Sequence, residues 1–238
     1  KHAVPQPVTF CENYVPWQDK LRPLVRELDF QAREALGASL RTDANNLVFV
    51  PNATHGVNIV ARSLRLSPGD EILTTDHEYG ACDRAWRFMA KQRGFAYINQ
   101  SIPLPVTTKE DFMDALWQGV TPRTRVLLVN APNNPTGWTL TRAEQQAMLD
   151  HCRRTGTWIV ADEVYERVFF GDAPAAPSFL DLAAPEDRLV VAHSFSKSFL
   201  MTGWRLGWLV LPRGHLDAIG KLIEFNTSCA PVFVQRGG

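Results

Sequence analysis

The sequence predicts an α/β fold, a three-layer αβα arrangement around a mostly parallel sheet of about seven strands, with one strand antiparallel. Three observations carry that expectation. Short apolar runs alternate with segments of helical period from residue 47 onward. Several runs are apolar on successive positions, as in Arg125-Val126-Leu127-Leu128-Val129 and Arg188-Leu189-Val190-Val191-Ala192, which suits strands covered on both faces. Turn and cap signals separate the runs from the helical segments, and a βα series places its strands parallel.

Taken in order, residues 1–16 carry Pro5, Pro7 and Pro16 and read as an irregular N-terminal arm. From Trp17 to about Leu40 the positions Leu21, Leu24, Leu28, Ala32, Ala35 and Leu36 recur at helical spacing, with Pro23 near the start. Strand candidates follow at 47–50, 71–74, 95–98, 125–129, 157–161, 188–192 and 206–211. Helices are expected between them at about 54–66, 79–93, 108–118 and 141–155. Thr141 and Glu144 form a capping-box pattern, and Ser67-Pro68-Gly69-Asp70 closes one helix before a strand. Only about a dozen residues, rich in Ser, Lys, Thr and Gly, separate Val191 from Leu206, so the last strand either returns antiparallel or follows a brief helix. A further helix is expected from Arg213 to about Phe225, ahead of Ser228-Cys229-Ala230-Pro231. The main domain is therefore placed at 17–212, with 213–238 as the start of a connecting helix.

The chain is 45% hydrophobic and 21% charged, with 25 basic against 25 acidic residues. That is the composition of an ordered protein, and no basic tract is long enough to follow a nucleic acid backbone. Cys11, Cys82, Cys152 and Cys229 show no C-x-x-C pair and no histidine at ligand spacing, so they read as reduced thiols and no metal is expected. No secretory signal and no run of 18 apolar residues is present, so a cytoplasmic location without a membrane partner is expected.

The segment 190–210, VVAHSFSKSFLMTGWRLGWLV, concentrates the chemistry. After a strand ending near Ala192 come Ser194, Ser196, Lys197 and Ser198, with Arg205 eight residues beyond the lysine. Such a loop can offer hydroxyls, backbone N–H groups and a guanidinium to one phosphate while keeping a lysine amine close by. A surface loop with one lysine and one arginine is also common, and the residue types alone leave both readings open.

The pattern S-F-S-K-x-x-x-M-T-G-W-R-x-G resembles the lysine signature of class I aminotransferases, fold-type-I enzymes that use pyridoxal 5′-phosphate (PLP). That resemblance implies that Lys197 holds PLP as a Schiff base and that Ser194 and Arg205 hold its phosphate. Two earlier segments carry the same likeness, each just past a strand. In NAPNNPTG, residues 130–137, Asn134 would donate to the cofactor's phenolic oxygen; in ADEVYERVFF, residues 161–170, Asp162 would pair with the pyridine nitrogen and Tyr165 would contact the phenolic oxygen. By the same token Asp162 and Lys197 would be the catalytic pair. The carboxylate would stabilise charge on the ring, and the freed amine would carry the Cα proton.

The first half resembles a different class. Residues 47–86, LVFVPNATHGVNIVARSLRLSPGDEILTTDHEYGACDRAW, are similar to class V PLP enzymes of the isopenicillin N epimerase-like branch. That likeness implies phosphate binding at the helix start by Ala53 and Thr54 and stacking on PLP by Tyr79, with His77 as second choice. The sequence thus reads as two halves of one superfamily joined near 120–125. The expected activity is aminotransfer between an amino acid and a 2-oxo acid. Its alternatives are a class V-type epimerase, racemase or lyase, and a non-catalytic truncated or chimeric PLP-binding scaffold. The resemblance also implies a homodimer, for which the arm with Tyr14 and Trp17 is a candidate to reach the partner, and a small C-terminal domain that the 238 residues are not expected to include.

Overall fold

In the computed structural model, which describes residues 10–106, 108–227 and 230–238, each of the seven expected runs forms a strand of one sheet. The strands are β1 (Leu47–Val50), β2 (Glu71–Thr75), β3 (Ala96–Gln100), β4 (Thr124–Asn130), β5 (Trp158–Asp162), β6 (Leu189–Ser194) and β7 (Gly207–Val210), in spatial order β1-β7-β6-β5-β4-β2-β3. Pairing is parallel from β6 through β3, while β7 runs antiparallel to both β6 and β1. The carboxyl ends of the other six strands therefore share one edge.

The sheet separates two apolar layers, as successive side chains of a strand point to opposite faces. Leu127 and Val129 of β4 join the layer under α1 (Phe10–Leu40), α4 (Lys109–Gln118), α5 (Arg142–Thr155) and α8 (Val232–Gly237). Val126 and Leu128 join the layer under α2 (Ala53–Ser63), α3 (Gly80–Arg93) and α7 (Leu216–Thr227). These alternating contacts explain why the β4 run is apolar at every position.

Local chemistry sets the helix ends. Asn52 caps α2 by accepting from the His55 N–H at 2.9 Å, and Thr141 with Glu144 makes the expected capping box of α5. The short connection after β6 contains both of its alternatives, a brief helix α6 (Phe195–Ser198) and then the antiparallel strand. Two boundaries differ from the sequence reading. The arm expected to reach residue 16 is helical from Phe10, because Pro16 forfeits its own N–H bond but no other breaker lies between it and Phe10. The last long helix starts at Leu216 rather than Arg213, since Arg213 and Gly214 form a turn with Gly214 at φ +82°. The Ser228-Cys229 segment, the arm up to residue 9 and the side chains of Tyr14 and Trp17 lie outside the described residues.

Among the described residues no helix is long and apolar enough to cross a membrane. Cys82 and Cys152 are buried free thiols, and burial pushes the Cys152 thiol up to about 12 and Cys82 higher still.

Candidate active site

The carboxyl edge of the sheet opens into a cavity of about 240 Å³. Its wall includes Ala53, Thr54, Tyr79, Asn134, Asp162, Tyr165, Ser194, Lys197 and Arg205, so the structure gathers every expected site residue in one place. Asn52, Asn130, Val164, Ser196 and Thr202 complete the lining. Open α/β sheets form ligand crevices at this edge because strand ends and helix starts converge there.

β1 delivers the start of α2, where the helix leaves the first N–H groups of Ala53 and Thr54 without intrahelical acceptors. β6 ends at Ser194, whose hydroxyl accepts from the Ser196 N–H at 3.1 Å and donates to the Leu206 carbonyl at 3.2 Å. Ser196 lines the same cavity, and its hydroxyl is buried and has no hydrogen-bond partner. Arg205 donates to the Thr202 carbonyl at 2.7 Å and sits at φ +55°, a left-handed conformation that costs a non-glycine residue about 1 kcal/mol or more. The close approach that brings these loops together depends on Gly207. A Cβ there would lie 2.6 Å from the His193 carbonyl oxygen and 3.3 Å from the Asn52 backbone.

The other end of the cavity is built from β4 and β5. The buried side chain of Asn130 donates to the Asp162 carbonyl at 3.0 Å and accepts from the Asn134 N–H at 2.9 Å, fixing the 130–137 turn to β5. Asn134 then donates to the Tyr165 hydroxyl at 3.2 Å. The two residues expected to share one ligand oxygen are thus already in contact. The Lys197 amine lies 5.9 Å from the Tyr165 ring centroid and is exposed to the cavity.

Asp162 dominates the electrostatics. It is 4% exposed and accepts one hydrogen bond, from the Val164 N–H at 3.2 Å, and no cation pairs with it among the described residues. Burial pushes its carboxyl up to about 6. Glu78 is raised to about 7, first by burial and then by the charge of Asp162; its carboxylate accepts from the Tyr79 N–H at 2.7 Å and the Thr74 hydroxyl at 3.1 Å. That grip holds Tyr79 at the entry to α3, with its ring on the cavity. The His77 side chain instead borders a smaller hollow with Trp138 and Asn133, and its ring lies 3.5 Å from Asp76. Of the two stacking candidates, only Tyr79 reaches the main cavity.

Sequence reasoning did not assign roles to Asn52, Asn130 or Ser196. Asn130 opens a recognised turn and Ser196 stands beside the lysine, so both had a local signal; only the fold shows that Asn52 caps the helix facing Ser194. No group of three histidine, cysteine, aspartate or glutamate side chains among the described residues is placed to bind a metal.

The fold and cavity define an α/β domain with a lysine, an unpaired buried carboxylate and an arginine converging at the carboxyl edge of its sheet. Comparison with known proteins gives that class a family. The family model described as aminotransferase class I and II matches residues 14–236, and the chain belongs to this family. An aspartate aminotransferase of Musicola paradisiaca is 34% identical over 201 residues, covering 81% of this chain and 46% of the relative. An arginine–pyruvate transaminase of Pseudomonas aeruginosa is 31% identical over 206 residues, covering 81% of this chain and 47% of the relative. Among solved structures, an aromatic aminotransferase from Pyrococcus horikoshii superposes with a TM-score of 0.73 at 28% identity, covering 87% of this chain and 55% of that one. The chain spans about half the length of the curated relatives it matches.

The two-class reading of the sequence is corrected by the same finding. One class I and II family model runs unbroken through residues 14–236, across the supposed join at 120–125, and nothing marks a class V-like first half. The motifs at Ala53-Thr54 and Tyr79 lie within that one match and line the same cavity as the second-half residues.

Proposed function

We propose that this chain binds PLP in the carboxyl-edge cavity and belongs to an enzyme that transfers an amino group between an amino acid and a 2-oxo acid. The observation that carries the reading is Asp162, a buried carboxylate without a cation, in the same cavity as Lys197 and Arg205. Leaving such a group unpaired is costly unless a bound cation meets it, and a protonated pyridine nitrogen suits it in charge and shape. The orphaned Ser196 hydroxyl, the free N–H groups of α2, Ser194 and Arg205 supply donors for a phosphate at the other end. These features support the fit of the cofactor.

PLP, when bound, supplies an electron sink for the bond broken at the amino acid Cα. The chain's own residues would do the rest. Asp162 would hold positive charge at the ring nitrogen, and Asn134 with Tyr165 would fix the phenolic oxygen. Tyr79 would cover one face of the ring. Lys197 would anchor the cofactor and then, as a free amine, take the proton from Cα. The proposed setting is a cytoplasmic homodimer with small-molecule partners.

The test is transfer of label from ¹⁵N amino acids to a 2-oxo acid by the PLP-loaded protein. Label in the acceptor for at least one donor is expected. A loaded protein that passes label from no donor in a broad panel would reduce the reading to cofactor binding alone.

A further inference from the structure

Behind the cavity, on the opposite face of the sheet, lies a row of groups that the proposed reaction does not use. β5 and β6 pair Asp162 with Ala192, and the Glu163 N–H continues the ladder to the Ala192 carbonyl at 3.0 Å. Side chains alternate, so Asp162 and Ser194 face the cavity while Glu163 and His193 face away together. β7 adds Trp208 directly across from His193, and the two rings stack at 4.9 Å with an interplanar angle of 16°. Glu163, His193 and Trp208 thus cross three adjacent strand ends, one residue from Asp162, Ser194 and Gly207 respectively.

The row is almost sealed from solvent, with Glu163 2%, His193 1% and Trp208 1% exposed. Glu163 is hydrogen-bonded on both oxygens: Oε1 accepts from the Phe179 N–H at 2.9 Å, and Oε2 accepts from the Ser178 hydroxyl at 2.5 Å. Its Oε2 also lies 3.5 Å from His193 Nε2, a buried atom with no hydrogen-bond partner, while His193 Nδ1 lies 3.7 Å from Glu166 Oε2. The charged groups around Glu163 are Glu166 and Asp181, both of which oppose its ionisation; on His193 a hydrogen bond with the Glu163 backbone favours a charge and is outweighed by burial, while Arg167, which pairs with Glu166, opposes it. β7 contributes only the uncharged Trp208. Among the described residues no lysine or arginine pairs with Glu163.

We propose that an uncharged Glu163 donates from Oε2 to Nε2 of a neutral His193, and that this buried pair positions the ends of β5 and β6 that carry Asp162 and Ser194. The proton arrangement follows from the donors already present. Ser178, whose hydroxyl already accepts from the Leu180 N–H at 3.1 Å, and Phe179 both donate to the carboxyl, so its own proton is free for the orphaned Nε2, and the imidazole carries its proton on Nδ1. Burial supports both neutral forms, holding the Glu163 carboxyl up at about 8 and the His193 imidazole down at about 3. Glu163 and His193 are positioning residues in this account. They touch neither cofactor nor substrate and act through their sequence neighbours. The consequence for PLP rests on the function proposed above, whereas the proton arrangement does not.

The test has two arms on the full chain, with Glu163→Gln and Glu163→Ala beside the wild type. In the cofactor-free protein, long-range ¹H–¹⁵N spectra should show His193 neutral and protonated on Nδ1 at neutral pH. As pH passes about 8 in the wild type, the loss of the Glu163 proton should move the imidazole proton to Nε2. Glu163→Gln, which keeps a donor but cannot ionise, should hold the Nδ1–H form throughout. In the second arm, PLP affinity should fall roughly tenfold in Glu163→Ala, the scale of one unsatisfied buried group. It should be preserved at pH 7 in Glu163→Gln, which should also lose less affinity than the wild type above pH 8. An imidazolium at neutral pH, an Nε2–H form at neutral pH, or a Glu163→Gln protein as weak for PLP as Glu163→Ala would overturn the proposal. A wild type that takes up no PLP would defeat the function proposed above, and the His193 spectra would then decide the pair alone.

Discussion

Asp162 shows how a single residue can cost the empty protein stability that a ligand returns. Its carboxyl is raised from 3.8 to about 6 by burial, so the folded protein holds the proton more tightly than the unfolded chain does. The penalty is absent below about pH 4, grows as pH rises through the interval, and is complete above about pH 6. Asp162→Asn removes the ionisation while keeping the shape. Urea unfolding of the cofactor-free protein at pH 7 should therefore show a gain on the order of 2–3 kcal/mol for the variant, with PLP affinity at least tenfold weaker in a parallel titration. Ser196 makes the same argument without charge. Its hydroxyl is buried and unpartnered, so Ser196→Ala should leave the empty protein as stable or about 1 kcal/mol more stable. If that hydroxyl serves the phosphate, the same variant should lose most of the thermal shift that PLP gives the wild type. Asp162 was legible in the sequence because it sits in a segment with a recognisable pattern. The orphaned state of Ser196 was not, since an unmet hydrogen bond is a property of surroundings that assemble only in the fold.

At the scale of elements, the site depends on how closely β7 returns against β6. Because Gly207 lacks a Cβ, the His193 carbonyl and the Asn52 backbone take up the space one would need, which brings the start of α2 close to the end of β6. Gly207→Ala should destabilise the fold by about 2 kcal/mol or more, as overpacking against backbone does. It should also weaken PLP binding, because both phosphate-facing segments must shift; paired urea and PLP titrations check the two effects together. The strands were readable because six of them are strongly apolar, and the capping box at Thr141 was readable because its two residues stand at fixed spacing. The antiparallel course of β7 was left open, since a short connection rich in Ser, Lys, Thr and Gly fits either a turn or a short helix, and the chain uses both. The row Glu163, His193 and Trp208 was invisible in sequence. Its members are 15 or more residues apart in every pairing, and only strand register aligns them.

For the whole molecule, one parallel sheet with a single reversed strand gathers segments from residue 52 to residue 205 at one edge. The likeness of the first half to a different class rested on short motifs within this convergence. A helix-start motif and an aromatic loop are each only a few residues long, so local likeness there says little about descent. The match of one family across 14–236 carries more, because it spans the order and spacing of the whole set. The central claim is that Lys197 anchors PLP in the cavity formed by this convergence. Incubation with PLP, reduction with borohydride and peptide mapping by mass spectrometry test it directly. The account predicts a reduction-stable phosphopyridoxyl mass on the peptide containing Lys197 in the wild type and none in Lys197→Ala; equal labelling of both proteins, or labelling of another lysine alone, would contradict it.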